Sequence, residues 1–128
     1  MEGTIDNQEW ISHIIILPHA SLQGGIVTGY MTNHGTMSDF EFRGAVLTGG
    51  RLAGTIINTN QVGGYFKDVE LAAGTKILGG KIAGYIKGDE HFPALLEHVK
   101  IAPKSVLQYV LLGDEVTLGD QLLLEKGV

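Results

Sequence analysis

Four carboxylates recur at fixed spacing along the chain. Asp39 and Glu41 lie in Met37-Ser-Asp-Phe-Glu-Phe42, and Asp68 and Glu70 lie in Phe66-Lys-Asp-Val-Glu-Leu71. Both segments read apolar-x-[Asp/His]-apolar-x-apolar. Two further copies, Ile11-Ser-His-Ile-Ile-Ile16 and Leu96-Glu-His-Val-Lys-Ile101, carry His13 and His98 at the acidic position. On a strand, residues two apart share a face. If the copies stack, Asp39, Glu41, Asp68 and Glu70 form one carboxylate patch bracketed by His13, His98 and Lys100. Exposed like charges repel by about 1 kcal/mol or less. A hard cation such as calcium (Ca2+) would relieve that repulsion with oxygen ligands, making these four residues a candidate metal site. The competing reading is a solvated acidic face. Phe66 and Asp68 have the same parity, so a bend between them places the patch toward a corner.

Other residues offer less chemistry. Asn7, Asn33 and Asn58 recur with the same period, and Asn at stacked corners tolerates a left-handed backbone and bonds side chain to side chain as a ladder. The histidines at 13, 19, 34, 91 and 98 show no recognisable ligand spacing. The chain has no cysteine, which excludes a disulfide framework and a thiolate metal site. No catalytic residue and no cofactor-binding residue is assigned.

The elements that must position these residues are set by glycine. There are 19 glycines in 128 residues, roughly twice the usual share of about 7%. They fall in register: Leu22-Gln-Gly-Gly-Ile-Val-Thr-Gly-Tyr-Met31, Leu47-Thr-Gly-Gly-Arg-Leu-Ala-Gly-Thr-Ile56 and Ile77-Leu-Gly-Gly-Lys-Ile-Ala-Gly-Tyr-Ile86. The glycine block thus starts at Leu22, Leu47 and Ile77, and the acidic block starts at Ile11, Met37, Phe66 and Leu96. Two blocks keeping one period indicate stacked repeats. Alternation such as Val69-x-Leu71 reads as short strands, and Gly-Gly permits positive φ at sharp corners. No stretch is long enough for a βαβ crossover helix. The sequence therefore predicts an all-β single domain over 1–128, a parallel β-helix (β-solenoid) of four to five coils of about 25–30 residues. The repeat copies are roughly 1–21, 22–46, 47–76 and 77–106, with a tail over 107–128. Gly24, Gly49 and Gly79 would form one column of turn glycines, and Gly29, Gly54 and Gly84 a second. Pro93-Ala-Leu-Leu-Glu-His-Val99 resembles a helix start, but the register assigns Leu96, Val99 and Ile101 to a strand, with room for a short helical turn near 92–95.

In the tail, Val110, Val116, Leu122 and Val128 step by six. This is similar to the hexapeptide repeat of left-handed β-helices. The longer coils expected for the main body are more typical of right-handed β-helices, so a right-handed form is favoured there and the left-handed one stays open. Leu47 to Ile56, Phe66 to Ile86 and Val110 to Val128 together resemble the glycine-rich solenoid repeats of large bacterial surface or structural proteins. More distantly they resemble the bactofilins, which are filament-forming β-helix proteins. These resemblances imply scaffold, stalk or polymer roles and transfer no catalytic residue. The hexad tail also resembles trimeric hexapeptide-type enzymes, either acyltransferases or γ-class carbonic anhydrases.

Composition narrows the function. A net charge of −5 argues against nucleic acid, because nothing neutralises phosphates. The longest aliphatic run, Ile14 to Leu17, is too short to span a bilayer. The first residues carry no basic or apolar export signal, which leaves cell-surface and cytoskeletal locations both open. The expected function is a structural, self-assembling module of a larger bacterial assembly, without catalysis, joining like units through open solenoid ends or a lateral face. The alternatives are a hexapeptide-type enzyme and a cation- or carbohydrate-binding adhesin stalk module.

Overall fold

The structure is a computed structural model and describes residues 4–6, 10–43, 46–58 and 65–124. Within them the chain forms strands of two to four residues and no helix. The strands follow in triplets, one triplet to a turn. The first triplet is β1 (Thr4–Asp6), β2 (Trp10–Ser12) and β3 (Ile15–Ile16). Next come β4 (Ser21–Gln23), β5 (Ile26–Thr28) and β6 (Tyr30–Asn33), then β7 (Thr36–Ser38), β8 (Glu41–Phe42) and β9 (Val46–Thr48). The middle of the stack holds β10 (Arg51–Ala53), β11 (Thr55–Asn58) and β12 (Tyr65–Lys67), followed by β13 (Glu70–Leu71), β14 (Lys76–Leu78) and β15 (Lys81–Ala83). Then come β16 (Tyr85–Lys87), β17 (Ala94–Glu97) and β18 (Lys100–Ile101), and β19 (Val106–Gln108), β20 (Val110–Leu112) and β21 (Thr117–Leu118). The last described strand is β22 (Leu123–Leu124).

Every third strand pairs, giving three sheets. The first runs β1-β4-β7-β10-β13-β16-β19-β22, the second β2-β5-β8-β11-β14-β17-β20, and the third β3-β6-β9-β12-β15-β18-β21. All pairings among the described strands are parallel. The molecule is a parallel β-solenoid with three sides.

The alternation of side chains builds its core. Inward and outward residues alternate along each strand, and in the three-residue strands β4, β5, β7, β9, β10, β12, β14, β15, β16 and β19 the middle residue is the buried one. Met31, Leu47, Phe66, Ile82 and Ile101 stack this way in the third sheet and are all buried. Phe42 and Phe66 meet across the interior with ring centroids 5.1 Å apart. Four buried polar residues, Asn33, Asn58, Thr75 and Ser105, lie at the edges of this core. Thr75 donates its hydroxyl to the Ala72 carbonyl at 2.7 Å and Ser105 to the Ala102 carbonyl at 2.8 Å.

The coil is shorter than the sequence spacing suggests. One turn carries the chain from Ser21 to its register partner Thr36, and the next carries it from Thr36 to Arg51. The turn from Lys87 to Gln108 is longer because it includes the loop over 88–93. The coils are thus more numerous than four to five, and each is much shorter than the sequence repeat. The reason is that all three sides use the same grammar. Leu22, Leu47 and Ile77 lie in β4, β9 and β14, five strands apart, so the repeat advances one and two-thirds turns and lands on a different side each time. The hexad tail shows the true unit: Val110 begins β20, Val116 precedes β21 and Leu122 precedes β22, one step for each side. The segment Ala94–Glu97 is strand, as the register requires, and 88–93 is a loop without a helical turn.

Candidate functional site: corners, a cleft and an open end

The edges of the solenoid gather the chemistry-bearing residues, in a different arrangement from the expected columns. Gly24, Gly49 and Gly79 occupy three different edges, as do Gly29, Gly54 and Gly84. All six have φ between 73° and 84°. What packs on the second set is a polar side chain of the turn before. His13, Asp39, Asp68 and His98 are themselves left-handed, with φ of 50° to 54°. Each lies at a corner, and the first three project onto a glycine of the next turn. A Cβ on Gly29 would meet the His13 ring at 2.6 Å, and Cβ atoms on Gly54 and Gly84 would collide with the carboxylates of Asp39 and Asp68. The backbone N–H just after each glycine donates to that side chain. Thr55 donates to Asp39 Oδ1 at 3.0 Å, Tyr85 to Asp68 Oδ1 at 2.8 Å and Tyr30 to His13 Nδ1 at 3.4 Å. At the fourth copy Glu115 takes over, and its carboxylate lies 2.8 Å from His98 Nδ1.

The four candidate cation ligands are consequently separated into pairs. Asp39 and Glu41 flank the edge between the first and second sheets, whereas Asp68 and Glu70 flank the edge between the third and first. Asp39 and Asp68 each accept a backbone N–H, Glu41 pairs with Arg43 at 3.1 Å, and Glu70 is in register between Arg51 and Lys87. The single patch expected for calcium is not assembled. Among the described residues no group of three or more His, Cys, Asp or Glu is placed to hold a metal ion.

Among the described residues the asparagines form no ladder either. Asn33 ends β6 and Asn58 ends β11, on different edges, and Asn7 lies outside the described residues. Asn33 is fully buried. Its Oδ1 accepts the Gly35 N–H at 3.0 Å and its Nδ2 donates to the Arg51 carbonyl at 3.3 Å. A Cβ on Gly50 would strike the Asn33 side chain, and one on Gly80 would strike Asn58. Each asparagine therefore fits beneath a Gly-Gly corner of the following turn. The sequence carries this signal in the similar separations of Asn33 from Gly50, Asp39 from Gly54 and Asp68 from Gly84. The longer sequence period masks it.

A cleft of about 400 Å³ opens along the edge between the third and first sheets, lined by His34, Arg51, Glu70, Tyr85 and Lys87 over Gly35 and Gly50. Beside it, loop 88–93 is tied by Asp89, whose Oδ1 accepts the N–H groups of His91 at 2.9 Å and Phe92 at 3.0 Å. Those two bonds, Phe92 first, hold the Asp89 carboxyl below the usual aspartate value, with smaller contributions from the charges of His91 and Arg51.

The third feature is the end at β20, β21 and β22, each the last described strand of its sheet. The inward columns continue here but lose their cover. Ile101 is 3% exposed and Leu118, its register partner, is 49% exposed; Leu107 is fully buried and its partner Leu124 is 46% exposed. Leu111 and Leu123 add exposed apolar surface at the same end. At the opposite end Ile5, on the column of buried Leu22, is 38% exposed. Among the described residues no helix is long and apolar enough to cross a membrane. No protein-family model matches this sequence, and neither a curated protein nor a solved structure matches it, so the site rests on its own geometry.

Proposed function

We propose that the chain is a structural, self-assembling β-solenoid module of a larger bacterial assembly, with no catalysis, and that its ends join head to tail. The observation that carries this reading is the pair Leu118 and Leu124. They continue columns whose preceding members, Ile101 and Leu107, are buried, and they are half exposed, with no strand among the described residues stacked on them. A strand edge without a partner is a template for pairing. The occupant argued for is the first turn of a second copy. Head-to-tail stacking continues the parallel pairing found throughout the molecule, whereas joining two like ends would introduce antiparallel pairs that none of the described strands makes. Such a contact joins two different surfaces and does not close on itself, so it grows into a filament. The likeness to glycine-rich bacterial solenoid repeats points the same way.

Light scattering over a concentration series tests the proposal. The chain should grow in mass past the dimer as concentration rises. The variant Leu118→Lys/Leu124→Lys, which places charges on the uncovered end, should remain monomeric with an unchanged β-sheet circular dichroism spectrum. A chain that stays monomeric throughout, or stops at a dimer, overturns head-to-tail assembly.

A further inference from the structure

The cleft on the edge between the third and first sheets lies on the flank of the solenoid, away from both ends, and the assembly proposed above makes no use of it. Its floor is backbone. Gly35 cannot carry a side chain, because a Cβ would lie 2.7 Å from the Leu17 carbonyl oxygen and still nearer that of Ala20; at Gly50 a Cβ would meet Asn33. Two consecutive turns thus leave a dent bordered by side chains from neighbouring turns.

The walls have a specific chemistry. Arg51, Glu70 and Lys87 are register neighbours along the axis, so their charges alternate across the cleft. An anion would face Glu70 and Asp68, and a cation would face Arg51 and Lys87. The guanidinium and ammonium supply donors and the carboxylates supply acceptors. Hydroxyl groups, which donate and accept at once, match that mixture without bringing a charge. Tyr85 adds an aromatic wall. It is 44% exposed and held at both ends: its backbone N–H donates to Asp68 Oδ1 at 2.8 Å, and its hydroxyl donates to Gln108 Oε1 at 3.1 Å. A ring fixed in this way offers an apolar face with little further entropy to lose on binding.

We infer that this cleft binds a neutral carbohydrate, a mono- or disaccharide unit whose C–H face lies on Tyr85 and whose hydroxyls bond to Arg51, Glu70 and Lys87. The volume of about 400 Å³ falls within the range of small-molecule sites. Because the cleft is on the flank, every copy in a head-to-tail stack would keep it open, and the stack would present it repeatedly. Binding by a single chain does not depend on that assembly.

The test is saturation-transfer NMR on the monomeric Leu118→Lys/Leu124→Lys chain and on the unmodified chain. The probes are the methyl glycosides of glucose, galactose and N-acetylglucosamine, with inorganic phosphate as the charged competitor. At least one glycoside should receive saturation on the protons of one ring face. Tyr85→Ala should weaken its binding about tenfold or more, the loss expected when a central aromatic anchor is removed. Tyr85→Phe, which keeps the ring and removes the Gln108 tether, should weaken it less. Tyr30→Ala is the control, since Tyr30 is more exposed than Tyr85 and lies outside the cleft; it should leave binding unchanged. Circular dichroism of each variant verifies the fold. The inference is overturned by absence of transfer from all three glycosides, by transfer that Tyr85→Ala leaves intact, or by displacement of the sugar with phosphate. None of these outcomes bears on whether the ends assemble.

Discussion

At the residue scale, the solenoid is held in register by contacts between a polar corner side chain and a glycine one turn later. The requirement for glycine is double at these positions. A side chain would have to adopt positive φ, which costs an L-residue about 1–2 kcal/mol, and it would also collide with the turn beneath. Gly79 and Gly74 separate the two effects. Gly79 has φ 84°, and a Cβ there would lie 2.6 Å from the Asn58 carbonyl oxygen; Gly74 has φ 71°, and a Cβ there would meet nothing within 4 Å. Alanine also stiffens the unfolded chain, which returns about 0.4–1 kcal/mol at either site. Gly74→Ala should therefore cost about 0–1.6 kcal/mol, whereas Gly79→Ala adds displacement of a neighbouring backbone and should cost about 3 kcal/mol. Urea denaturation of the two variants measures the difference, and equal midpoints would show that backbone strain alone explains the glycine. The sequence reveals that such corners need glycine, because Gly-Gly between strands has few other uses. It hides which residue each glycine accommodates, because the partner is on the previous turn and nothing local marks where that turn began.

At the element scale, the short strands and their alternation are legible because one buried residue between two outward ones is a local pattern. The number of strands in a turn is not. Leu22, Leu47 and Ile77 have matching neighbours although they belong to three different sheets, and a three-sided solenoid with equivalent sides gives a sequence no local mark of which side is which. The expected carboxylate patch fails for the same reason, since Asp39 and Asp68 recur in sequence five strands apart and never stack. Loop 88–93 departs from the coil pattern and carries its own support in Asp89. The sign of its pH dependence follows from the two N–H bonds to that carboxylate. The folded group titrates below its ordinary value, so its contribution is fully present above that value and is lost as pH falls through the lowered one. Acidification should shift the amide resonances of His91 and Phe92 together, with a midpoint below the ordinary aspartate value. Asp89→Asn should abolish that shared transition while leaving the resonances of the central strands in place. A transition that persists in Asp89→Asn would assign it to another group.

At the scale of the whole molecule, each turn touches only its neighbours, so stability is close to a sum of turn and interface contributions. The middle turns, with Leu47, Leu52, Ile56, Phe66 and Ile77 fully buried, have a turn on either side. The turns holding β1–β3 and β20–β22 have one side only among the described strands. Local opening draws on the least supported segments first, so amide hydrogen exchange of the dilute chain should be slowest between β9 and β15 and fastest toward both ends. Self-assembly changes this profile in a way that identifies the surface used. Head-to-tail stacking supplies hydrogen-bond partners to the terminal strands, so raising the protein concentration should slow exchange in β20–β22 and β1–β3 together and leave the middle unaltered. Lateral association through a flank would bury side chains of every turn and add no backbone bonds at the ends. If the mass grows with concentration while exchange at the two ends stays as fast as in dilute solution, the contact is lateral. The exposure of Leu118 and Leu124 then has no part in assembly. If both ends are protected together and Leu118→Lys/Leu124→Lys removes that protection, the three-sided coil acts as a unit that continues its own hydrogen-bond ladder from one chain into the next.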